Sequence, residues 1–182
     1  MENTIEKPEI DISIVVPLFN EEESLPELTK AIDNALSAKF SYEILFVDDG
    51  STDTSWQVVK TLAAQNAGIR GISLRRNYGK SVALQAAFDV ALGKYVVTMD
   101  ADLQDDPDEV PEMIAMLESG LDLVSGWKKE RFDPISKTVP SKFFNFVTRK
   151  AAGINLNDFN CGLKAYRAEV VKNIYLYGEL HR

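Results

Sequence analysis

Short apolar runs alternate with longer amphipathic segments along most of this chain, and this alternation constrains the fold more than any other feature. The runs predict strands at about Ile10–Val16, ended by Pro17, and at Tyr42–Val47, Ile69–Leu74 and Tyr95–Met99. Apolar residues at helical spacing predict helices at roughly Ser24–Ser37, after Asp53, and at Lys80–Leu92. Each helix is long enough for the crossover that parallel strands require. The sequence therefore predicts a mostly parallel, Rossmann-like sheet flanked by helices, an α/β fold.

The second half of the chain continues less regularly. Its predicted elements are a helix from Pro107 to about Ser119, a strand at Leu121–Ser125, a helix at Lys142–Ala152, a strand at Gly162–Tyr166 and a helix at Ala168–Tyr175. Residues 1–9 are polar and predict a loose leader. With 182 residues and 45% hydrophobic content, residues 10–182 are expected to form one domain.

Polar side chains gather where three of the predicted strands end. Asn20-Glu21 follows the first strand, Asp48-Asp49 the second, and Asp100 to Gln104 the fourth. Parallel sheets of this kind bind ligands at the carboxyl ends of their strands. We therefore expect these groups to converge on one crevice.

The acidic cluster after the fourth strand comprises Asp100, Asp102, Asp105 and Asp106. Carboxylates this close repel one another unless a cation lies between them, and an all-oxygen ligand set favours Mg²⁺ or Mn²⁺ over zinc. Mg²⁺ usually shares its protein carboxylates with substrate phosphates, which suggests a nucleoside diphosphate bound through metal. The alternative, an acidic loop that caps the next helix, accounts for Asp106 before Pro107 but not for Asp100 or Asp102.

The turn after the first strand, Pro17 to Glu21, contains no glycine. A dinucleotide-binding fold places a glycine-rich turn there so that a helix terminus can approach a pyrophosphate. Anionic Glu21 would also repel phosphate. We therefore expect phosphates to bind elsewhere, and Phe19 and Glu21 to suit a base or ribose.

Charge and cysteine content exclude other classes of protein. A formal net charge of −8 argues against a nucleic-acid binder. The single cysteine, Cys161, cannot form an internal disulfide and is expected to be a packed residue in a reducing compartment. The sequence shows neither a secretory signal nor an apolar run long enough for a membrane-spanning helix.

The motifs V-V-P-L-F-N-E-E, V-D-D-G-S-T-D and M-D-A-D-L-Q together resemble glycosyltransferase family 2. The D-A-D-L-Q form, Gly126 and the later D-F-N-C-G at residues 158–162 are similar to the polyprenyl-phosphate sugar transferases of that family. The resemblance covers about Ile10 to Arg182 and implies a GT-A fold. It also implies inverting transfer of a hexose-like sugar from a UDP- or GDP-linked donor to undecaprenyl or dolichyl phosphate, at the cytoplasmic face of a membrane.

The resemblance also assigns site residues. Those expected to line the base and ribose are Pro17, Phe19, Glu21, Val47 and Asp49, and those expected at the metal and diphosphate are Ala101, Asp102 and Gln104. Lys128 stands where the family commonly has arginine, which keeps the charge but gives up a planar bidentate grip. The contact with the donor phosphate is then expected to be weaker or to be shared with Lys129 or Arg131. Asp100 and Asp158 are the candidate catalytic carboxylates.

The acceptor chemistry follows from the lipid phosphate. Such a phosphate carries about −1.5 to −2 at neutral pH, so its nucleophilic oxygen is already largely deprotonated. Asp158 would then either abstract a proton or orient a cationic neighbour. Lys142, Arg149 and Arg182 are candidates for holding the acceptor phosphate near the donor.

Two other functions are compatible with the same sequence features. The same fold could use a saccharide hydroxyl as acceptor in polysaccharide synthesis, or it could be a non-catalytic module that binds nucleotide sugars. The sugar, the base and a homo-oligomeric state are not determined by sequence. Relatives of this type usually continue beyond the position of Arg182, which leaves open that the chain is a fragment of a longer, membrane-anchored enzyme.

Overall fold

The computed structural model describes residues 9–126, 161–176 and 178. Its strands are β1 (Ile12–Leu18), β2 (Tyr42–Asp48), β3 (Ile69–Ser73), β4 (Tyr95–Thr98), β5 (Leu123–Ser125) and β6 (Lys164–Arg167). Its α-helices are α1 (Leu25–Leu36), α2 (Ser55–Gln65), α3 (Lys80–Phe88), α4 (Val110–Glu118) and α5 (Ala168–Asn173), and a 3-10 turn, Pro107–Glu109, precedes α4. The helix predicted at Lys142–Ala152 lies outside the described residues.

The described strands form one sheet in the order β3-β2-β1-β4-β6-β5. The first four strands are mutually parallel, β6 runs antiparallel to β4, and β5 runs antiparallel to β6. The predicted mostly parallel α/β sheet is therefore confirmed. The carboxyl ends of β1, β2 and β4 lie next to one another, as the convergence of the polar clusters requires.

Helices cover both faces of the sheet. Ile12, Ile14 and Val16 of β1 pack into a core cluster with apolar residues of α1, α2 and α4, whereas Val15 joins a second cluster with residues of α3 and α5. This division follows from the alternation of side chains along a strand. Every β1 residue but Pro17 is buried, which explains why the sequence of this strand is a nearly continuous apolar run.

The prediction that Pro17 ends the first strand is wrong. Pro17 lies inside β1, opposite Val47 of β2. The register between β1 and β4 stops at Val15 and Thr98, so β1 beyond Val15 pairs with β2 only. A proline, which lacks a backbone N–H, is tolerated where one side of a strand is unpaired.

Within the described ranges, no helix combines the length and apolar character needed to cross a bilayer.

Candidate active site

A cavity of about 410 Å³ opens where β1, β2 and β4 end. Its lining residues are Pro17, Leu18, Phe19, Glu21, Asp49, Asn77, Gly79, Lys80, Ala83, Asp100, Ala101 and Asp102. Residues from all three predicted polar clusters therefore share one cavity, as the strand order requires. Six of the residues assigned by resemblance to the nucleoside, metal and diphosphate lie here: Pro17, Phe19, Glu21, Asp49, Ala101 and Asp102. Asp100, a candidate catalytic carboxylate, lies here as well.

The glycine-free turn after β1 is held by the loop after β2. The Asn20 N–H donates to Ser51 Oγ (2.9 Å), and Asn20 Oδ1 accepts from the Thr52 N–H (2.8 Å). Asn20 has a φ of 58°, a left-handed conformation that asparagine adopts more readily than most residues. The Glu21 N–H donates to Ser55 Oγ (2.8 Å). These bonds fix the backbone that presents Phe19, 42% exposed, and Glu21 to the cavity.

The rim beyond Glu21 is acidic. A neighbouring depression is lined by Glu22, Glu23, Glu27 and Asp53 together with Glu21. Burial acts to raise the pKa of Asp53, but hydrogen bonds from Ser55 and from backbone N–H groups, that of Glu22 among them, together hold this pKa below its usual value. The Asp53 carboxyl is thus ionised at neutral pH, and this side of the cavity repels phosphate.

Asp49 anchors the loop that follows β3. Its carboxylate, 5% exposed, accepts hydrogen bonds from the Tyr78 and Gly79 N–H groups, both at 2.8 Å. The loop after β2 and the loop after β3 approach closely at Gly50. Its φ is +73°, and a Cβ there would come within 2.6 Å of Arg76 Cα. Asp49 therefore lines the cavity with both oxygens already engaged by backbone donors.

Val47 is placed differently from its prediction. Its side chain is fully buried and belongs to the core cluster beneath α3, and it is not among the residues that line the cavity. The alternation of side chains along β2 turns residue 47 into the core. The Val47 side chain is therefore directed away from the cavity, and the expectation that Val47 lines the base and ribose stays a prediction.

The acidic cluster divides into two cavity-facing and two structural carboxylates. Asp100 and Asp102 line the cavity. Asp105 is buried, and its Oδ2 accepts from the Asp100 N–H (2.9 Å). Asp106 caps the 3-10 turn by accepting from the Asp108 N–H (3.0 Å), so its predicted capping role is confirmed. The capping interpretation thus explains Asp106 but leaves the two cavity-facing carboxylates for another purpose.

Gln104 is not brought together with Asp102 by its side chain. It is exposed and lines a second cavity of about 440 Å³, with Asp105 and Asp106, while its backbone N–H donates to Asp102 Oδ1 (3.1 Å). Leu103, between them, has a φ of 61°, a left-handed backbone conformation. The Gln104 backbone N–H thus orients the Asp102 carboxylate, whereas the Gln104 side chain does not line the cavity of Asp102. Its role as a metal ligand stays a prediction.

Lys80 is a functional candidate that the sequence reasoning missed. It begins α3 and forms an ion pair with Asp100 inside the cavity. Asn77 and Gly79, from the same loop, also line the cavity. The carboxyl end of the third strand, treated like the other strand ends, would have pointed to these residues.

A glycine supports Asp100 from behind. A Cβ at residue 162 would come within 2.5 Å of Asp100 Cγ, and the Gly162 carbonyl accepts from Thr98 Oγ1 (2.8 Å) on β4. Only a residue without a side chain leaves room for the carboxylate. The Asp100 carboxylate is thus held between the Gly162 backbone and the Lys80 ammonium.

The carboxylates of the cavity fit a hard divalent cation that takes its remaining ligands from a bound phosphate group. Across residues 9–126 and 161–176, no group of three or more His, Cys, Asp or Glu side chains could hold a metal ion by itself. Asp100 and Asp102 offer two carboxylates in one cavity. Mg²⁺ and similar ions commonly bind one or two carboxylates and complete their shell with substrate phosphates and water. The residues therefore fit a metal that binds together with a diphosphate.

Five predicted residues lie outside the described residues. They are Lys128 for the donor, Asp158 for catalysis, and Lys142, Arg149 and Arg182 for the acceptor phosphate. Their assignments stay predictions.

The sheet order, the helices on both faces and the cavity at the strand ends define a GT-A glycosyltransferase fold. A mannosyltransferase from Pyrobaculum calidifontis, solved with GDP-Man and Mn²⁺, matches with a TM-score of 0.70 at 22% identity, over 93% of this chain and 48% of that chain. Glucosyl-3-phosphoglycerate synthase from Mycobacterium tuberculosis, solved with Mn²⁺, UDP and phosphoglyceric acid, matches with a TM-score of 0.69 at 22% identity, over 88% and 57%. At these identities the likeness establishes the fold alone.

The sequence model of Glycosyl transferase family 2 matches residues 13–175, and the chain belongs to this family. Dodecaprenyl-phosphate galacturonate synthase of Rhizobium johnstonii is 40% identical over 95% of this chain and 52% of that protein. Undecaprenyl-phosphate 4-deoxy-4-formamido-L-arabinose transferase of Shewanella sediminis is 40% identical over 88% and 49%. The chain thus spans about half the length of these curated relatives.

Proposed function

We propose that this protein transfers a sugar from a nucleoside diphosphate sugar to a polyprenyl phosphate at the cytoplasmic face of a membrane. The observation that carries the proposal is the cavity at the ends of β1, β2 and β4. It combines an aromatic and acidic turn, Phe19 to Glu21, with a lysine and two aspartates, Lys80, Asp100 and Asp102. Curated relatives of this chain are named for sugar transfer to polyprenyl phosphates.

Charge orients the donor in this cavity. The rim around Glu21 is acidic and repels phosphate, whereas Lys80 supplies a cation on the α3 side. The nucleoside is therefore expected against Phe19 and Glu21, with the diphosphate towards Lys80 and Asp102. Phe19 can stack on a base, and the Glu21 carboxylate can accept hydrogen bonds from base or ribose.

Asp102, with Asp100 beside it in the cavity, would hold the metal. A bound Mg²⁺ or Mn²⁺ supplies Lewis-acid stabilisation of the charge that develops on the departing diphosphate. The fold neighbours solved with Mn²⁺ are consistent with such a metal.

The reaction needs little acid-base chemistry. An oxygen of the lipid phosphate forms a bond to the anomeric carbon while the bond from that carbon to the diphosphate oxygen breaks, and the electron pair leaves with the diphosphate. The configuration at the anomeric carbon is inverted. Because the acceptor phosphate is largely ionised at neutral pH, Asp158 serves to position the acceptor rather than as an indispensable base.

The remaining charge problem is that two anions must approach each other. Lys142, Arg149 and Arg182 are proposed to offset this repulsion on the acceptor side, and Lys128 on the donor side. Among the described residues, Lys80 lines the cavity, and we propose that its ammonium offsets part of the negative charge of the diphosphate.

A transfer assay tests the proposal. UDP- and GDP-linked sugars are incubated with the protein, Mg²⁺ or Mn²⁺, and either short-chain polyprenyl phosphate or free oligosaccharide. The expected product is a polyprenyl phosphate sugar, identified by mass spectrometry. Transfer to oligosaccharide alone would instead establish the polysaccharide-building function. Donor binding without turnover on either acceptor would identify a non-catalytic nucleotide-sugar module.

A further inference from the structure

The ion pair between Lys80 and Asp100 lies in the cavity where the metal and the diphosphate are expected. The side chains of Lys80 and Asp100 are 32% and 31% exposed, so the pair faces the open cavity and is not locked in the core. An approaching ion or ligand can therefore reach both groups.

The two partners differ in how freely they can move. The Asp100 carboxylate is confined by Gly162 behind it, and the Asp100 N–H is bound by Asp105 Oδ2 at 2.9 Å. The backbone before Lys80 is held through the Gly79 N–H, which donates to Asp49 Oδ2 at 2.8 Å. The lysine ammonium, however, sits on a flexible four-carbon stem. Lys80 can consequently leave Asp100 without any backbone movement.

A metal ion and the Lys80 ammonium cannot both pair with the Asp100 carboxylate. Two carboxylates, Asp100 and Asp102, face the cavity, and the Lys80 ammonium contacts one of them. A divalent cation bound to Asp100 would lie next to that ammonium and repel it, so the metal and Lys80 compete for the same carboxylate. A diphosphate removes the conflict, because its oxygens offer the displaced ammonium a new partner and the metal further ligands.

We propose that Lys80 acts as a stand-in cation: it occupies Asp100 while the site is empty and transfers to the donor diphosphate when the metal binds. Metal and diphosphate then bind tightly only together, and each raises the affinity for the other by the same factor. The inference rests on the proposed function in so far as the donor is a nucleoside diphosphate sugar. It adds that Lys80 suppresses binding of metal alone.

The test measures Mn²⁺ binding without any donor, by the loss of the free Mn²⁺ signal in electron paramagnetic resonance titrations. Lys80→Met removes the charge and keeps the length of the side chain, so Mn²⁺ alone should bind about 10-fold more tightly than in wild type. Lys80→Arg keeps the charge and should retain the weak binding of wild type. Lys60→Met, at an exposed position of α2, is the matched control and should behave as wild type.

The second arm repeats the titrations with UDP and with GDP. After correction for the Mn²⁺ that free nucleotide binds, the nucleoside diphosphate that binds to wild type should tighten Mn²⁺ binding by more than about 10-fold. In Lys80→Met this coupling should fall about 10-fold but stay above one, because the diphosphate still offers ligands to the metal. Unchanged or weaker binding of Mn²⁺ alone to a folded Lys80→Met protein, verified by circular dichroism, would overturn the proposal. Failure of wild type to bind either nucleotide would instead count against the proposed function, while the arm without nucleotide would still decide the role of Lys80.

Discussion

Replacing Asp49 with asparagine separates an anchoring role for this residue from a ligand-contacting one. The Asp49 carboxylate accepts two backbone N–H groups at 2.8 Å, one on each oxygen, and it is 5% exposed. An asparagine oxygen can replace one of these acceptors, but its NH₂ group would face the other N–H. Hydrogen bonds to charged groups contribute about 1.5–3 kcal/mol, so losing one and weakening the other should lower the free energy of unfolding by about 2–4 kcal/mol.

The assay is thermal unfolding of the protein without any ligand, followed by titration with nucleoside diphosphate. For a chain of this length the loss corresponds to a drop in Tm on the order of 10 °C. Asp89→Asn is the matched control, because Asp89 is exposed and its Oδ1 accepts from Gln85 Nε2 (2.8 Å), a bond that asparagine retains. Its stability should stay within about 0.5 kcal/mol of wild type.

Nucleotide affinity should fall together with stability in Asp49→Asn, because the loop that leads into Lys80 at the start of α3 loses its anchor. An unchanged Tm with a large loss of nucleotide affinity would refute this reasoning. Asp49 would then act by direct contact with the nucleoside, as the family resemblance alone implies.

Three further variants address the other parts of the cavity. Gly162→Ala should displace the Asp100 carboxylate and weaken Mn²⁺-dependent nucleotide binding about tenfold or more. The control Gly71→Ala, which overpacks α2 against β3, should lower Tm without this loss of affinity. Equal nucleotide affinities in the two variants would contradict the role of Gly162. Glu21→Gln should weaken nucleoside monophosphate and diphosphate binding alike, and a loss confined to the diphosphate would argue against the nucleoside contact. Asp102→Asn should abolish the metal-dependent part of donor binding, and an unchanged metal dependence would exclude Asp102 as a ligand.

The sheet could be predicted because its central strands are buried on both faces. The apolar runs that predicted β1, β2 and β4 owe their composition to helices on each side of the sheet. The end residues of the strands were harder to predict from sequence. Pro17 could be recognised as part of β1 only once the register showed that β4 stops pairing at Thr98.

The candidate site was predictable where position along the chain determines position in space. Asp100 and Asp102 follow the end of β4 within four residues, and both line the cavity at the end of the sheet. Gln104 follows them in sequence, but its side chain lines a different cavity from that of Asp102. Leu103 between them has a left-handed φ, and no sequence pattern predicted that conformation. Lys80 is twenty residues from Asp100 in sequence, and their ion pair becomes visible only once the start of α3 is placed in space at the cavity.

The pH dependence of transfer in Asp158→Asn decides whether the acceptor is, as proposed, a phosphate that supplies its own anion. Turnover of short-chain polyprenyl phosphate by wild type and variant is measured across neutral and alkaline pH, with free oligosaccharide in parallel. For a phosphate acceptor we expect transfer to the lipid phosphate and a loss in the variant that stays constant above about pH 7, where the second phosphate ionisation is largely complete. Transfer to oligosaccharide alone, with a variant rate about 10²–10⁴-fold lower that climbs with pH, would contradict it, because a hydroxyl acceptor requires a base.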